Sequence, residues 1–534
     1  MSNPKKKVIV ADKISSVGVA WLKQQPGIEI VEAQGCSAER LLELVGDASA
    51  ILVRSETKIT RAILEAAPCL VAVGRAGVGV DNIDVEAATE RGVIVMNTPS
   101  GNTIATAELT FTHLLCCARP VPAAAATMRA GKWDRKNFSG TELFGKTLGI
   151  LGLGRIGTEV AKRALAFGMK VLAYDPYLTE DRAQSLGIQT ASRDDVFTNA
   201  DYITVHMPLT EQTANMVDGA AIARMKRGVH LVNVARGGLI DERALAEALQ
   251  SGQVASAGFD VFTQEPLPAD SPLRAIPNLT LTPHLGASTS EAQESVGIEV
   301  AQAVAQVLAG GPCVNAVNMP SVDQRSLQQL RPFLHLAEKL GTLVQQLTTG
   351  AVKKLRITYW GNLAEFDTTP VSRAVQRGYL RRISGHVNDV NAPHFIKRLG
   401  IEVNVTQSNE QADYKDLIEV EAVGQDGSRH GLTGTIIGTS HSPRIVRIGA
   451  HPIEFHPQDT LLISENLDRP GIVGDVGTIL GSAGINIANM SLSKALDAAD
   501  SALAVYQLSG TPDALTLEKI KKNPALLNVL ILEA

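Results

Sequence analysis

Residues 148–157 read Leu148-Gly149-Ile150-Leu151-Gly152-Leu153-Gly154-Arg155-Ile156-Gly157, nearly 150 residues into a chain of 534. The stretch opens as an apolar strand. Gly152, Gly154 and Gly157 fit GxGxxG, and Thr158 to Phe167 continues as a helix. A second strand, Lys170 to Tyr174, then ends at Asp175. Glycines at these positions allow a tight turn and let backbone N–H groups approach a pyrophosphate at a helix N-terminus. Asp175 follows the second strand, where a carboxylate accepts hydrogen bonds from a ribose 2′-hydroxyl and repels a 2′-phosphate. The pattern predicts a Rossmann-type unit that binds NAD rather than NADP.

Strand and helix signals alternate on both sides of this loop. Upstream, Val8–Ala11, Ile28–Val31, Ala50–Val53, Leu70–Val73 and Val93–Met96 read as strands separated by helical runs. Downstream, strands are expected at 147–151, 170–174, 202–205, 229–234, 255–260 and 279–282. Such alternation implies parallel sheets with helical crossovers. Between the halves, Asn97 to Asn102 is a breaker cluster, followed by an Ala-rich helix, Thr103 to Ala118, with apolar residues on more than one face. That helix is expected to be buried between domains or subunits. The segment Ser288 to Leu308 reads as one helix, with a capping box from Ser288 and a stop at Gly310-Gly311-Pro312. No strand follows it in this sheet. The chain therefore begins one α/β domain (1–99), builds a second (100–287) and returns to the first (288–320).

After Pro320 the texture changes. A helix at Leu327–Leu347 leads into alternating strands, with an Asp426-Gly427 hairpin turn, in a separate α+β domain at 321–456. Residues 457–534 read as β-α-β-β-α-β, with an acidic turn before the strand Ala502–Leu508.

The chain is 45% hydrophobic and 20% charged, with a net charge of −5. These values describe an ordinary globular protein and give no reason to expect nucleic acid. No signal-peptide core and no apolar stretch of membrane-spanning length is seen. Five scattered cysteines without CxxC spacing suit a reducing cytoplasm, and the adjacent Cys116 and Cys117 read as packing residues.

Three residues beside apolar runs carry the chemistry. His284, in Thr282-Pro283-His284-Leu285-Gly286-Ala287, stands at the carboxyl edge of the second sheet, where ligands bind. A histidine suits a group that takes a proton from a hydroxyl. Glu265, in Phe262-Thr263-Gln264-Glu265-Pro266, can fix its tautomer and favour the imidazolium. Arg236 closes Leu231-Val232-Asn233-Val234-Ala235-Arg236 and can grip a carboxylate in bidentate fashion. Singly these are an ordinary cap, loop acid and surface cation. Together on three strand ends of one nucleotide-binding sheet they read as catalytic.

These pieces resemble the D-isomer-specific 2-hydroxyacid dehydrogenases. The matches are GLGRIG, Val234-Ala235-Arg236-Gly237-Gly238, Asp260-Val261-Phe262 with Glu265-Pro266, and Pro283-His284-Leu285-Gly286-Ala287. The resemblance implies an NAD domain inserted in a flavodoxin-like substrate domain, and Arg236, Glu265 and His284 as catalytic residues. It implies cofactor contacts from Val78, Gly152, Gly154, Arg155, Ile156, Gly157, Asp175, Met207, Pro208, Val234, Ala235, Arg236, Asp260, His284, Gly286 and Ala287. Substrate contacts are implied for Arg54, Ser55, Arg75, Gly77, Asn102, Arg236 and His284. Arg54 and Arg75 suit a dianionic phosphate as well as a carboxylate, or else serve as interdomain ion pairs. Lys58, Lys132 and Arg135 are further basic candidates, the last two for a neighbouring subunit's cleft.

With GRAGVGVDNID and NTPSGNT at the front, the whole chain resembles the family's long-form branch acting on 3-phosphoglycerate. The middle domain is then an intervening domain, with Ser442-Pro443-Arg444-Ile445-Val446-Arg447 as its candidate anion site. The tail resembles a ferredoxin-like ACT domain, which pairs side by side with a second copy and binds a small amino acid. That implies Asn466, Asp468 and Asn486 as contacts for L-serine and a homo-oligomer, a tetramer, as the assembly. Short bacterial members carry His-x-Asn before Arg-Pro-Gly; this chain has Ser464-Glu465-Asn466-Leu467-Asp468 instead. Alternatives are another D-2-hydroxyacid dehydrogenase, such as a hydroxypyruvate or glyoxylate reductase, and an NADH-sensing binding protein. No metal site is expected.

Overall fold

Five short apolar runs form the first sheet of the computed structural model, which describes residues 5–313, 315–320, 324–408, 410, 413–494 and 501–534. These are β1 (Lys6–Val10), β2 (Ile28–Glu32), β3 (Ala48–Val53), β4 (Ala72–Arg75) and β5 (Ile94–Met96). All pair in parallel, in the order β2-β1-β3-β4-β5. The near-continuous Val, Ile and Ala of β1, β3 and β4 follow from burial on both faces. One face packs on the helix Ser290–Leu308, through Val296, Val300 and Val304 against Val8, Val10 and Leu52. Each fully buried aliphatic of this kind contributes about 1.5–3 kcal/mol. That helix is capped by Thr289, which accepts the Ala292 N–H, rather than by Ser288 as the sequence suggested. Gly18, in the helix Ser16–Lys23, meets Gly297 so closely that a Cβ on Gly18 would lie 2.3 Å from the Gly297 carbonyl oxygen.

The second sheet holds β6 (Thr147–Leu151), β7 (Lys170–Tyr174), β8 (Gln189–Thr190), β9 (Tyr202–Val205), β10 (Val229–Asn233), β11 (Val254–Phe259) and β12 (Leu279–Leu281). It is wholly parallel, in the order β12-β11-β10-β9-β6-β7-β8. The two-residue β8 has no apolar run to announce it. Helix Thr103–Ala118 packs into this unit's core through Ala107, Phe111 and Leu114.

The third sheet comprises β13 (Val352–Gly361), β14 (Glu402–Ser408), β15 (Asp416–Gly424), β16 (Arg429–Ile437), β17 (Ser442–Ile448) and β18 (His451–Phe455). Its order is β14-β13-β15-β16-β17-β18, with β14 parallel to β13 and the rest antiparallel. The helix over it runs Gln324–Leu347 with Pro332 inside, so the proline does not end it. The last sheet is antiparallel: β19 (Thr460–Leu467), β20 (Ile487–Lys494), β21 (Ser501–Leu508) and β22 (Leu526–Glu533), in the order β20-β21-β19-β22. The expected acidic turn before β21 lies outside the described residues. Leu461, Ile463, Val505 and Leu532 share one continuous core with Leu336, Leu340 and Val344 of the long helix. The Gln346 side-chain amide pairs with Glu533 in both directions, at 2.9 Å each. The third and fourth sheets are thereby one packed body.

Candidate active site

The carboxyl ends of the first two sheets face one cleft of about 1230 Å³. Arg54 follows β3 and Arg75 closes β4. Gly154 to Gly157 follow β6, Arg236 follows β10 and His284 follows β12. Each lies where its apolar strand ends and the chain emerges to polar surroundings.

His284 and Glu265 form the tightest pair. Imidazole Nδ1 lies 2.6 Å from Glu265 Oε2, and Glu265 Oε1 accepts the Phe262 N–H at 2.9 Å. Burial pushes the Glu265 carboxyl up, but the bonds from His284 and the Phe262 backbone outweigh it and hold the group below the usual carboxylate range. With Nδ1 engaged, Nε2 is the nitrogen left for chemistry. His284 has a φ of 54°, and the loop is held in that shape by Asp260, which is fully buried. Asp260 accepts the N–H groups of Leu285 and Gly286 at 2.7 and 2.8 Å, and the Thr282 hydroxyl at 2.6 Å. The backbone N–H of His284 donates to the Asp260 carbonyl at 2.8 Å.

Arg236 reaches across the cleft. Its Nε donates to Asp81 Oδ2 at 3.1 Å, and Nη1 to the Ala235 carbonyl at 2.6 Å. Buried Asn233 braces the turn, donating to the Arg236 carbonyl and accepting the Ala235 N–H. Gly237 brings this turn against the Glu265 loop: a Cβ there would lie 2.0 Å from the Phe262 carbonyl.

On the facing wall, the backbone around Arg54 is fixed by Asp12, only 1% exposed, which accepts the N–H groups of Arg54 and Thr57. Asn82 ties Arg75 Nε to the carbonyls of Arg54 and Thr57. The Arg75 guanidinium is pushed down to about 10, first by burial and then by repulsion from Arg236, with Asp81 opposing and Arg54 adding to the repulsion. It stays charged at neutral pH. Arg54 and Arg75 therefore give this wall a positive field, while Arg236 is partly balanced by Asp81.

Most of the implied contact residues line this cleft: Arg54, Ser55, Arg75, Gly77, Val78, Asn102, Gly154, Arg155, Ile156, Gly157, Met207, Pro208, Val234, Ala235, Gly286 and Ala287, together with Lys58. Three implied cofactor contacts do not. Asp260 is spent on the His284 loop, as described. Gly152 packs under the His206 carbonyl and Met207. Asp175 lies behind the glycine turn, where its oxygens accept the N–H groups of Leu153 and Tyr177 at 2.8 Å each. Lys132 and Arg135 stand on an exposed segment away from the cleft lining. Arg444 pairs with Glu454 and Arg447 with Glu419, so both cations of the candidate anion strand are already neutralised. In the tail, Asn466 is buried with Oδ1 lacking a partner, Asp468 is ion-paired with Lys494, and Asn486 is exposed.

Sequence reading passed over Asp12, Asp81, Asn82, Asn233 and His206. Asp81 and Asn82 sit in the same glycine-rich segment as Arg75, which was their one signal. His206 is pushed down to about 4 by burial, and its Nδ1 is buried without a partner at the cleft wall. That orphan atom, and the open space over Gly154, where a Cβ would meet nothing within 4 Å, fit a dinucleotide laid along the loop.

Comparison with known proteins matches this geometry. Residues 111–286 match the NAD binding domain of D-isomer specific 2-hydroxyacid dehydrogenases. Residues 329–449 match the D-3-phosphoglycerate dehydrogenase intervening domain, and 460–525 the ACT domain. D-3-phosphoglycerate dehydrogenase of Methanocaldococcus jannaschii is 42% identical over 98% of this chain and 99% of that one. The Bacillus subtilis enzyme of that name is 42% identical over 91% and 92%. A glyoxylate reductase from Paecilomyes thermophila superposes with a TM-score of 0.55 at 31% identity, covering 59% of this chain and 99% of that one. The chain belongs to the D-3-phosphoglycerate dehydrogenases, a branch of the D-isomer-specific 2-hydroxyacid dehydrogenase family.

Proposed function

We propose that this protein oxidises 3-phospho-D-glycerate to 3-phosphohydroxypyruvate with NAD, the step that feeds serine biosynthesis. The observation that carries the reading is the His284–Glu265 pair, 2.6 Å apart, with Arg236 on its own sheet and Arg54 and Arg75 facing it across one cleft. NAD, when bound, supplies the hydride acceptor. Arg236 grips the substrate carboxylate and polarises the oxygen at C2. Arg54 and Arg75 take the phosphate, with Ser55, Gly77 and Asn102 adding polar contacts. Nε2 of His284 removes the hydroxyl proton as the C2 hydride departs, leaving a carbonyl at C2. Glu265 stabilises the resulting imidazolium. Steady-state turnover of 3-phosphoglycerate with NAD, compared with unphosphorylated glycerate, tests this. Equal kcat/KM for the two would overturn the phosphate assignment.

The proposal extends to assembly and regulation. Val121 and Met128, on the helix Val121–Arg129, and Trp133, just after it, are exposed apolar side chains, and the helix buries none of its residues within the chain. They support a homo-oligomer, which we take to be a tetramer. The partnerless Asn466 Oδ1 supports capture of an amino-acid ammonium by the tail, with L-serine as ligand and Asp468 and Asn486 as its neighbours. Five free thiols suit the cytoplasm. No helix among the described residues is long and apolar enough to cross a membrane.

A further inference from the structure

We propose that the crevice between β1 and β3 is a second anion site, which takes a small phosphate-bearing metabolite and competes with the active site for Arg54. The inference rests on the reading of the cleft given above. In the order β2-β1-β3-β4-β5 the direction of winding reverses between β1 and β3. Open parallel sheets bind ligands outside their carboxyl ends at that reversal. The active-site cleft takes the ends of β3, β4 and β5, and leaves the reversal to another cavity.

That cavity holds about 380 Å³, within the range of small-ligand pockets. Lys13 and Ser15 beyond β1, Gln34 beyond β2 and Arg54 beyond β3 line it, with Gln293 from the helix Ser290–Leu308. Lys23 and Glu32 also line it, and these two already neutralise one another at 2.6 Å. The uncompensated charge is positive. Neither the Lys13 ammonium nor the Arg54 guanidinium has a hydrogen bond or ion pair among the described residues. Hydroxyl and amide donors surround the two cations, as a phosphate monoester requires. The walls are rigid, because the Gly18–Gly297 contact locks the two flanking helices and Asp12 fixes the backbone of Arg54.

Arg54 and Ala76 line both cavities. One guanidinium on a fixed backbone serves two clefts. An anion in the outer pocket draws it away from the active-site phosphate position, so the apparent KM for substrate rises while kcat changes little.

The test uses the full chain with NAD bound, inorganic phosphate as the probe, and Lys13→Gln beside the wild type. Calorimetric titration reads binding, and steady-state kinetics read inhibition. Lys13→Gln is expected to keep kcat and KM within twofold without phosphate, and to weaken phosphate binding and inhibition at least fivefold. Gln293→Ala, which removes an amide donor from the same pocket, is expected to do the same. Unaltered phosphate binding in both variants would assign the anion to the active-site cleft and overturn the proposal, as would no binding to the wild type. A wild type that fails to turn over 3-phosphoglycerate defeats the proposed function, while the titration still decides the pocket.

Discussion

Glu265 shares its carboxylate between the His284 imidazole and the Phe262 backbone, at 2.6 and 2.9 Å, so one side chain sets both the tautomer of the base and the shape of its own loop. Glu265→Gln retains an acceptor but loses the charge. We expect kcat to fall about 100-fold, in the range of general-base contributions. The folded carboxyl lies below its ordinary value of 4.5. Its contribution to stability is therefore complete above that value and is lost as pH falls through the lowered one. Acid unfolding of the variant should accordingly depend less on pH below about 4.5 than that of the wild type.

His284→Ala removes the proton acceptor and leaves the glycine loop untouched. Turnover should vanish while NADH affinity, read by fluorescence titration, stays within a few-fold. Wild-type turnover in this variant would sink the mechanism.

Asp260→Ala strips the partners from two loop N–H groups at once. Each buried orphan donor costs about 1–3 kcal/mol, so a loss of roughly 2–6 kcal/mol is expected, together with a reduced kcat as the His284 loop loosens. Thermal unfolding and single-turnover kinetics measure the two effects. A variant with unaltered Tm would contradict the assigned role.

Arg54→Ala and Arg75→Ala each delete a charge-assisted contact to phosphate. Such bonds contribute about 1.5–3 kcal/mol, which predicts a KM for 3-phosphoglycerate raised about 10- to 150-fold. Glycerate kinetics should barely move. A parallel loss with glycerate would mean that the arginines shape the cleft rather than read the phosphate.

Asp175→Ser removes the carboxylate behind the glycine turn. Discrimination against NADP is expected to fall at least tenfold, read as the ratio of kcat/KM for the two cofactors. The same change withdraws the acceptor of the Leu153 N–H, so weaker binding of both cofactors accompanies it.

The parallel halves were legible because buried strands write themselves as apolar runs and GxGxxG fixes which strand meets the nucleotide. His284, Glu265 and Arg236 were legible because they stand where such runs stop. The bracing role of Asp260 was not legible: the resemblance implied a cofactor contact, and only the folded loop shows its carboxylate turned inward to three donors. Gly152 and Asp175 were legible as parts of the loop, but the motif does not tell which of its residues line the cleft and which brace the turn behind it. The strand Ser442–Ile448 shows two arginines to the sequence, while their partners Glu419 and Glu454 come from other strands.

The core shared by the last two sheets has a mechanical consequence. Asn388, next to the helix Ala392–Arg398, donates at 2.7 Å to the Gly92 carbonyl, just before β5 of the first sheet. The ACT sheet and the long helix form a single packed unit, and the Asn388–Gly92 hydrogen bond joins that unit to the first sheet beside β5, whose far end leads to Asn102 in the active-site cleft.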